Sequence, residues 1–351
     1  MEIHAVLQRR MRAQHLVGPL AGPEQVVEHL VAVQAQDYLG ARWAVSQRTR
    51  AGTGGDVNRA LADGRVIRTH VLRPTWHLVA ARDLRWMLEL SAPQIRAAMA
   101  PYLRKLDIDA KLLAKSSDTF TRVLEGRQLN RAELVDALEQ RGIRVGDGVR
   151  MGHLLMTAEI DRVICSGGLR GKQQTYARFD DRVAQTSLPR DEALATLALR
   201  YFASRGPASV QDFAWWSGLP MAQVRAALES VRAKLEHVVI DARELFFDGE
   251  NGSARIRSPL AWLLPNYDEY IVSYADRSGL LEAKHHKSLD ARANPLFQHT
   301  IVVDGRIVGT WKRVREKAVP RLFRTLSAKE RAAVDDAVSR HDAHLVAESR
   351  A

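Results

Sequence analysis

Residues 130–140, NRAELVDALEQ, open the clearest copy of a pattern that repeats along this sequence. Asn130 can cap a helix, and Glu133 occupies the capping-box position in its first turn. Leu134 and Leu138 fall on one side of the predicted helix, at the spacing of an amphipathic face. The stretch therefore predicts a capped helix with one buried side.

A turn at 146–148 (GDG) leads from this helix into a second one, predicted over 151–160. Two strands are expected next, at 162–165 and 174–179, with a Gly-Gly pair between them. Helices followed by a hairpin form the winged-helix plan, in which one helix enters the major groove and the wing touches DNA backbone or minor groove. Turns between helices are common in any helical protein, and some winged helices bind proteins instead of DNA. One copy therefore leaves both DNA binding and protein binding open.

The same order recurs twice. The downstream copy has helices predicted over 189–204, 209–216 and 221–235, with strands at 237–240 and 244–247. In the front copy the predicted helices are His4–His15, Pro23–Val33, one near Ala41–Gln47 and Asp56–Ala62, and the strands are Val66–Arg73 and Trp76–Val79.

We therefore predict a mainly α fold with β-hairpins (α+β). The expected domains are winged-helix units at 1–90, 91–188 and 189–256, and a C-terminal mixed α/β cap at 257–351 that packs on the third unit. An Asp-Gly turn at 304–305 predicts a hairpin inside the cap.

The composition is that of a folded basic protein. The 351 residues are 46% hydrophobic and 26% charged, and 52 Lys and Arg against 41 Asp and Glu give a net charge of +11. That excess suits DNA, RNA or an anionic membrane surface, and three winged-helix copies favour double-stranded DNA. The first residues lack the apolar core of a signal peptide, and no apolar run approaches the roughly 20 residues of a membrane span. We expect a monomeric, cytoplasmic, nucleoid-associated protein.

Neither metal nor cofactor is expected. Cys165 is the only cysteine, which excludes a thiolate cluster, and its apolar surroundings predict a small buried side chain. His285 and His286 lie between two lysines and show no ligand spacing, so they predict a basic loop. The sequence also has no Gly-rich phosphate loop and no nucleophile elbow.

A pair of glutamines, Gln34 and Gln36, lies at the predicted end of the second front helix. If the segment is extended, both side chains project to the same side. Taken alone, two surface glutamines at a helix end explain the pattern better.

Several ordered motifs resemble the AlkZ/YcaQ-like family of bacterial winged-helix DNA glycosylases, over nearly the whole chain. They are Val33–Asp37, Ala41–Trp43, Arg68-Thr69, Arg73–Val79, Gly206-Pro207, Asp212–Leu219, Leu264–Tyr270 and Val308–Trp311. The resemblance implies a monofunctional glycosylase that excises N7-alkylated purines, with members that act on bulky adducts or interstrand crosslinks. The family's catalytic pair falls on Gln34 and Gln36, in the two-glutamine form of the AlkZ-like branch.

Neutral amides suit this chemistry. Alkylation at N7 makes guanine a cationic, labile leaving group, so water must chiefly be positioned at the sugar carbon. A carboxamide oxygen accepts from that water while its NH2 group steadies phosphate or sugar. Asp37 could add negative charge or simply cap a helix, and His77 could face the lesion or be packed. We see no Schiff-base lysine, so no strand cleavage is expected.

Basic residues near the predicted wings are candidate phosphate contacts, namely Arg48, Arg68, Arg73, Arg170 and Lys172. Each is as readily a solvated surface charge, but together they predict salt-dependent DNA binding. The alternative function is a non-catalytic winged-helix transcriptional regulator. Such regulators usually carry one unit per subunit, whereas three in one chain suit a clamp on one stretch of duplex.

Overall fold

A computed structural model describes residues 2–249, 258–282, 284–285 and 297–350. The chain divides into two compact units. Unit 1 comprises Met1–Val57, Ala195–Trp216 and Pro220–Ala351, and unit 2 comprises Asn58–Leu194 and Ser217–Leu219. The division into three winged-helix domains and a cap, with the boundaries given above, stays a prediction.

Helices and short strands alternate along the described chain. The α-helices are α1 (Ile3–Ala13), α2 (Pro23–Leu30), α3 (Tyr38–Ser46), α4 (Gly54–Ala62), α5 (Ala81–Lys105), α6 (Ala110–Val123), α7 (Arg131–Gln140), α8 (Gly148–Ile160), α9 (Arg190–Arg205), α10 (Val210–Ser217), α11 (Met221–Val231), α12 (Glu269–Val272) and α13 (Ala328–Arg350). The strands are β1 (Ala32–Gln34), β2 (Val66–Val71), β3 (Arg73–Ala80), β4 (Leu129–Asn130), β5 (Ile164–Arg170), β6 (Gln173–Arg178), β7 (Glu236–Ile240), β8 (Arg243–Phe247), β9 (Ala261–Leu264), β10 (Thr300–Val303), β11 (Arg306–Val314) and β12 (Lys317–Leu322). The predicted mixed fold of helices and antiparallel hairpins is confirmed.

The segment from α6 to β6 in unit 2 has the predicted helix–turn–helix and hairpin. Asn130 and Glu133 form the reciprocal capping box at the start of α7. Leu134 and Leu138 are fully buried in the core beneath α7 and α8. Strands β5 and β6 pair antiparallel, and β4 adds a short third strand. The local capping and apolar spacing therefore predicted these helices correctly.

The front copy differs from its prediction at the glutamine pair. Helix α2 ends at Leu30, not at Val33, because Val31 takes a φ of +63°, outside the helical region. The buried residues that follow form β1, which ends at Gln34. The chain order α2-β1-α3-α4-β2-β3 thus matches the order α6-β4-α7-α8-β5-β6.

Helix α5 was not predicted from the sequence. It runs for 25 residues and contains Pro93 and Pro101, which ordinarily mark a helix boundary. Its Ser91 hydroxyl accepts a hydrogen bond from the Leu72 N–H at the β2–β3 turn, at 3.2 Å. Burial of its apolar side against this hairpin outweighs the local signal of the prolines.

The C-terminal part of unit 1 is a four-stranded antiparallel sheet in the order β12-β11-β10-β9, with α13 packed on it. Asp304 and Gly305 both have positive φ, as the predicted Asp-Gly turn between β10 and β11 requires. Around α12 this part contacts α9 and α10. The Tyr201 hydroxyl donates to the Ser273 carbonyl at 3.0 Å, and the Trp215 indole N–H to the Val272 carbonyl at 2.9 Å.

Candidate active site

The glutamine pair lies where β1 ends. Gln34 is its last residue and is only 6% exposed, whereas Gln36 is exposed in the following loop. The Gln36 backbone N–H donates to Oε1 of Gln34 at 3.1 Å. This contact fixes the Gln34 carboxamide and leaves its oxygen one further lone pair as an acceptor.

A buried carboxylate holds the backbone of the same strand. The Gln34 N–H donates to Oε1 of Glu269, the first residue of α12, at 2.8 Å. The other oxygen, Oε2, accepts from Arg205 at 2.7 Å, from the Ser273 hydroxyl at 2.7 Å and from the Trp216 indole at 3.2 Å. Glu269 is 1% exposed, and these contacts surround its carboxylate.

The electrostatic balance keeps Glu269 ionised. Burial by itself would raise the pKa of Glu269, but the Arg205 guanidinium and the hydrogen bonds outweigh it, so the pKa lies below its usual value. Arg205 is also fully buried, and its Nη2 donates to the Ala32 carbonyl at 3.0 Å. The Arg205–Glu269 ion pair is thus hydrogen-bonded to both the first and the last residue of β1.

A second buried ion pair joins Arg48 to Asp268, the residue before Glu269 and the N-cap of α12. Arg48 donates to the two carboxylate oxygens of Asp268 at 2.7 and 2.9 Å, and also to the Gln14 carbonyl. Arg48 is 1% exposed. It was predicted to contact phosphate, and that prediction is wrong because its guanidinium is already enclosed by protein acceptors.

Asp37 caps a helix next to the glutamines. Its carboxylate accepts from the Gly40 N–H at 3.1 Å at the start of α3. The capping alternative is therefore present in the structure, and it leaves the carboxylate further lone pairs for a ligand.

Comparison with known proteins gives the chain a family. A family model described as DNA glycosylase AlkZ-like matches residues 27–344. This chain belongs to the AlkZ-like family. The match includes β1, both glutamines and the Asp268-Glu269 pair, and it confirms the resemblance drawn from the sequence motifs.

A sequence match and a structural match both come from Streptomyces sahachiroi. The chain is 27% identical over 326 residues to an interstrand DNA cross-link repair glycosylase, across 88% of this chain and 87% of the relative. It is also similar to the solved structure of the DNA glycosylase AlkZ, with a TM-score of 0.82 and 24% identity, across 98% of this chain and 96% of that one. The structural likeness supports the AlkZ-like fold.

His77, the other candidate beside the glutamines, is a packed residue of unit 2. It is fully buried in β3, and its Nδ1 lies 2.8 Å from the Thr75 carbonyl. The structure thus selects the packed alternative over a histidine that faces a lesion.

The remaining predicted phosphate contacts are in unit 2 and differ in exposure. Arg68 and Arg73 are half-buried, and Arg68 donates to the Gln174 amide at 2.5 Å with its guanidinium 4.4 Å from the centre of the Trp76 ring. Arg170 is exposed and paired with Glu133, and Lys172 is exposed at the tip of the β5–β6 wing. The wing tip is therefore the best placed of these for a phosphate.

Several residues that shape the site were not predicted from the sequence. Glu269 and Asp268 lie inside the quoted Leu264–Tyr270 motif, but no local pattern showed that they pair with arginines. The exposed cationic surface of the β11–β12 hairpin was not predicted either; it is formed by Lys312, Arg313, Arg315, Lys317 and Arg321.

The described residues contain no group of three or more His, Cys, Asp or Glu arranged to hold a metal ion. His285 belongs to this part, whereas His286 lies outside the described residues. Cys165 is buried as predicted, and burial raises the pKa of its thiol to about 12. Among the described helices, none is long and apolar enough to cross a bilayer.

Proposed function

We propose that the protein is a monofunctional DNA glycosylase that hydrolyses the N-glycosidic bond of N7-alkylguanine in duplex DNA, including bulky guanine adducts and interstrand crosslinks. Membership of the AlkZ-like family supports glycosylase chemistry. A relative named for cross-link repair supports the crosslink as a substrate. The observation that carries the proposal is the glutamine pair, with Gln34 held at backbone and side chain and Gln36 exposed beside it.

Such a site needs to place water more than to activate it. The N7-alkylated base leaves as a stabilised group, and the transition state resembles an oxocarbenium ion at the sugar. An amide that is already fixed loses little conformational freedom when it binds the water. Positioning of this kind lowers the activation barrier by several kcal/mol. In the proposed mechanism the free lone pair of Gln34 Oε1 and the Gln36 carboxamide orient the water.

Glu269 acts in this mechanism through position. Its charge is matched by Arg205 and its oxygens accept from protein donors, so it neither touches DNA nor takes a proton. Asp37 is closer in sequence to the glutamines and contributes negative charge near the developing cation. Because water is the nucleophile, no amine intermediate forms, and we expect no cleavage of the strand at the abasic product.

DNA binding in this proposal uses the exposed cations. Lys172 and Arg170 at the β5–β6 wing and the cations of the β11–β12 hairpin are the proposed phosphate contacts. We propose that the protein works as a monomer on double-stranded DNA in the cytoplasm, at the nucleoid, without a cofactor.

The test is a glycosylase assay on duplexes that carry N7-methylguanine or a nitrogen-mustard crosslink, with wild type beside Gln34→Ala and Gln36→Ala. We expect base release by wild type and its loss in both variants, with DNA binding retained. Intact substrate across all lesions would contradict the enzyme, and a sequence-defined footprint on undamaged DNA would instead indicate a regulator.

A further inference from the structure

A small cavity of about 200 Å³ in unit 1 borders Asp37, the residue after Gln36. Side chains from α3, β11 and α13 and from the loop before β10 line it. It is smaller than the roughly 300–1,000 Å³ of pockets that enclose drug-sized ligands. Its size fits one flat heterocycle rather than a whole nucleoside.

Aromatic rings form the walls of this cavity. Trp43 and Trp311 both contact the His341 ring, with centroids 5.0 and 4.5 Å apart, and His344 lies 4.9 Å from Trp43. The indole N–H groups are used elsewhere, since Trp43 donates to the Leu263 carbonyl at 2.6 Å and Trp311 to the Leu264 carbonyl at 3.0 Å. These bonds fix the indole rings and occupy their N–H groups, so each indole offers the cavity aromatic surface rather than a donor.

Two polar groups of the lining, His299 and Asp37, can pair with a base. His299 Nδ1 accepts from the Asn266 backbone N–H at 3.1 Å, so the proton of the neutral ring is on Nε2, which is then a donor. Asp37 supplies a carboxylate with lone pairs beyond the one used by Gly40.

His341 adds an unsatisfied atom to the wall. It is 3% exposed, and its Nδ1 has no hydrogen bond; the nearest acceptor, Asp342 Oδ1, lies 3.6 Å away. A buried polar atom without a hydrogen bond is costly unless a ligand or water meets it.

The charges around the cavity tolerate a cation. Burial lowers the pKa of His299, partly offset by Asp37, and lowers the pKa of His341 to about 4, so both rings are neutral at pH 7. Asp37 is the anion in the lining, and Arg313, which also lines the cavity, is exposed to solvent, where its charge is screened.

We propose that this cavity receives a single N7-alkylated guanine base, displaced from the duplex, which packs against the aromatic lining formed by Trp43, Trp311 and His341. Asp37 accepts from the N1–H and exocyclic amino group of the base, and the His299 Nε2–H donates to O6. Adenine presents an acceptor at N1, which would oppose the Asp37 carboxylate. A cationic ring is further stabilised by the π faces. This inference rests on the proposed function, because it names the base that Gln34 and Gln36 would release.

The direct test is equilibrium dialysis of the full chain against free 7-methylguanine, with adenine as the competitor base. We expect 7-methylguanine to bind at least tenfold more tightly than adenine and to inhibit base release from DNA. The variant Asp37→Asn should weaken 7-methylguanine binding about tenfold, since it removes half of a paired hydrogen bond of the kind that discriminates bases. Asparagine is as good a helix cap as aspartate, so this variant keeps α3 intact.

A second variant, His299→Gln, tests the O6 contact and should also weaken binding about tenfold. Its matched control is His237→Gln on β7, an exposed histidine that does not line the cavity, and this variant should bind like wild type.

The two proposals fail separately. Wild type that releases bases from DNA but binds no 7-methylguanine overturns the cavity and leaves the glycosylase standing. Adenine bound as tightly as 7-methylguanine, or wild-type affinity in both Asp37→Asn and His299→Gln, also overturns it. If the protein binds 7-methylguanine but releases no base from any lesion, the cavity proposal is supported and the glycosylase proposal is overturned.

Discussion

The backbone N–H of Gln34 donates to Oε1 of Glu269 across 235 residues of sequence, at 2.8 Å. The strand that carries the candidate catalytic amide is therefore positioned by the C-terminal part of the chain. Arg205 completes the arrangement, since it bonds both the Glu269 carboxylate and the Ala32 carbonyl. The geometry of the glutamine pair thus depends on a buried ion pair that touches neither glutamine side chain.

Glu269→Gln should destabilise the protein and disturb the site together. The change keeps the side-chain size but leaves the buried Arg205 charge uncompensated, which costs about 3–5 kcal/mol of the free energy of unfolding. Urea unfolding measures this loss. The control is Glu229→Gln, which breaks an exposed pair with Arg232 and should cost no more than about 1 kcal/mol. Equal effects of the two changes would contradict the role of Glu269.

Gln36→Ala should reduce base release without unfolding the protein. Gln36 is exposed, so we expect the free energy of unfolding to stay within about 0.5 kcal/mol of wild type. The rate of base release should fall about 100-fold, because the water loses one of its two positioning groups. Single-turnover assays at saturating enzyme separate this chemical step from DNA binding. A variant that binds DNA poorly but releases bases at the wild-type rate would place Gln36 in binding instead.

Lys172→Ala should weaken DNA binding equally for damaged and undamaged duplexes. A lysine on a phosphate releases about one counterion, so the slope of log affinity against log salt should become shallower by about one. Fluorescence anisotropy over a range of salt concentrations measures the slope. An unchanged slope would show that the wing tip does not contact phosphate.

Acid should destabilise the fold through buried His341. Its pKa falls from 6.5 to about 4 because of burial, so the unfolded chain binds more protons than the folded one between these values. The free energy of unfolding is therefore fully retained above pH 6.5 and declines as the pH falls toward 4. We expect this residue to account for about 1–2 kcal/mol between pH 7 and pH 5.

The variant His341→Gln isolates that contribution. Its urea unfolding at pH 7, 6 and 5 should show a flatter pH dependence than wild type, whatever its stability at pH 7. A pH dependence identical to wild type would mean that His341 does not titrate between the two states.

Local interactions explain what could be predicted from the sequence. Asn130 and Glu133 cap α7 with atoms three residues apart, and Asp304-Gly305 closes its hairpin with two residues of positive φ. Contacts at such short separation leave a signature in consecutive residues. Gln34 and Gln36 were identified through the family motifs, although the segment that leads to them was predicted as helix.

The failures have a tertiary origin. Ala32–Gln34 is a three-residue strand whose apolar residues would equally suit the end of α2, and only Val31's positive φ separates the two. Arg48 carries the charge expected of a phosphate contact, but its guanidinium pairs with Asp268, which is 220 residues away in sequence. His77 was left open and proved to be packed.

By itself the sequence determined most of the helices and hairpins and the net basic charge, because capping, periodicity and charge are properties of neighbouring residues. The glutamine pair was identified by the family resemblance of the motifs. The tertiary structure alone decided which charges are buried. Desolvated arginines are stable only beside carboxylates, and Arg48 and Arg205 meet theirs at Asp268 and Glu269. The Arg205–Glu269 pair holds β1, and with it Gln34, in place.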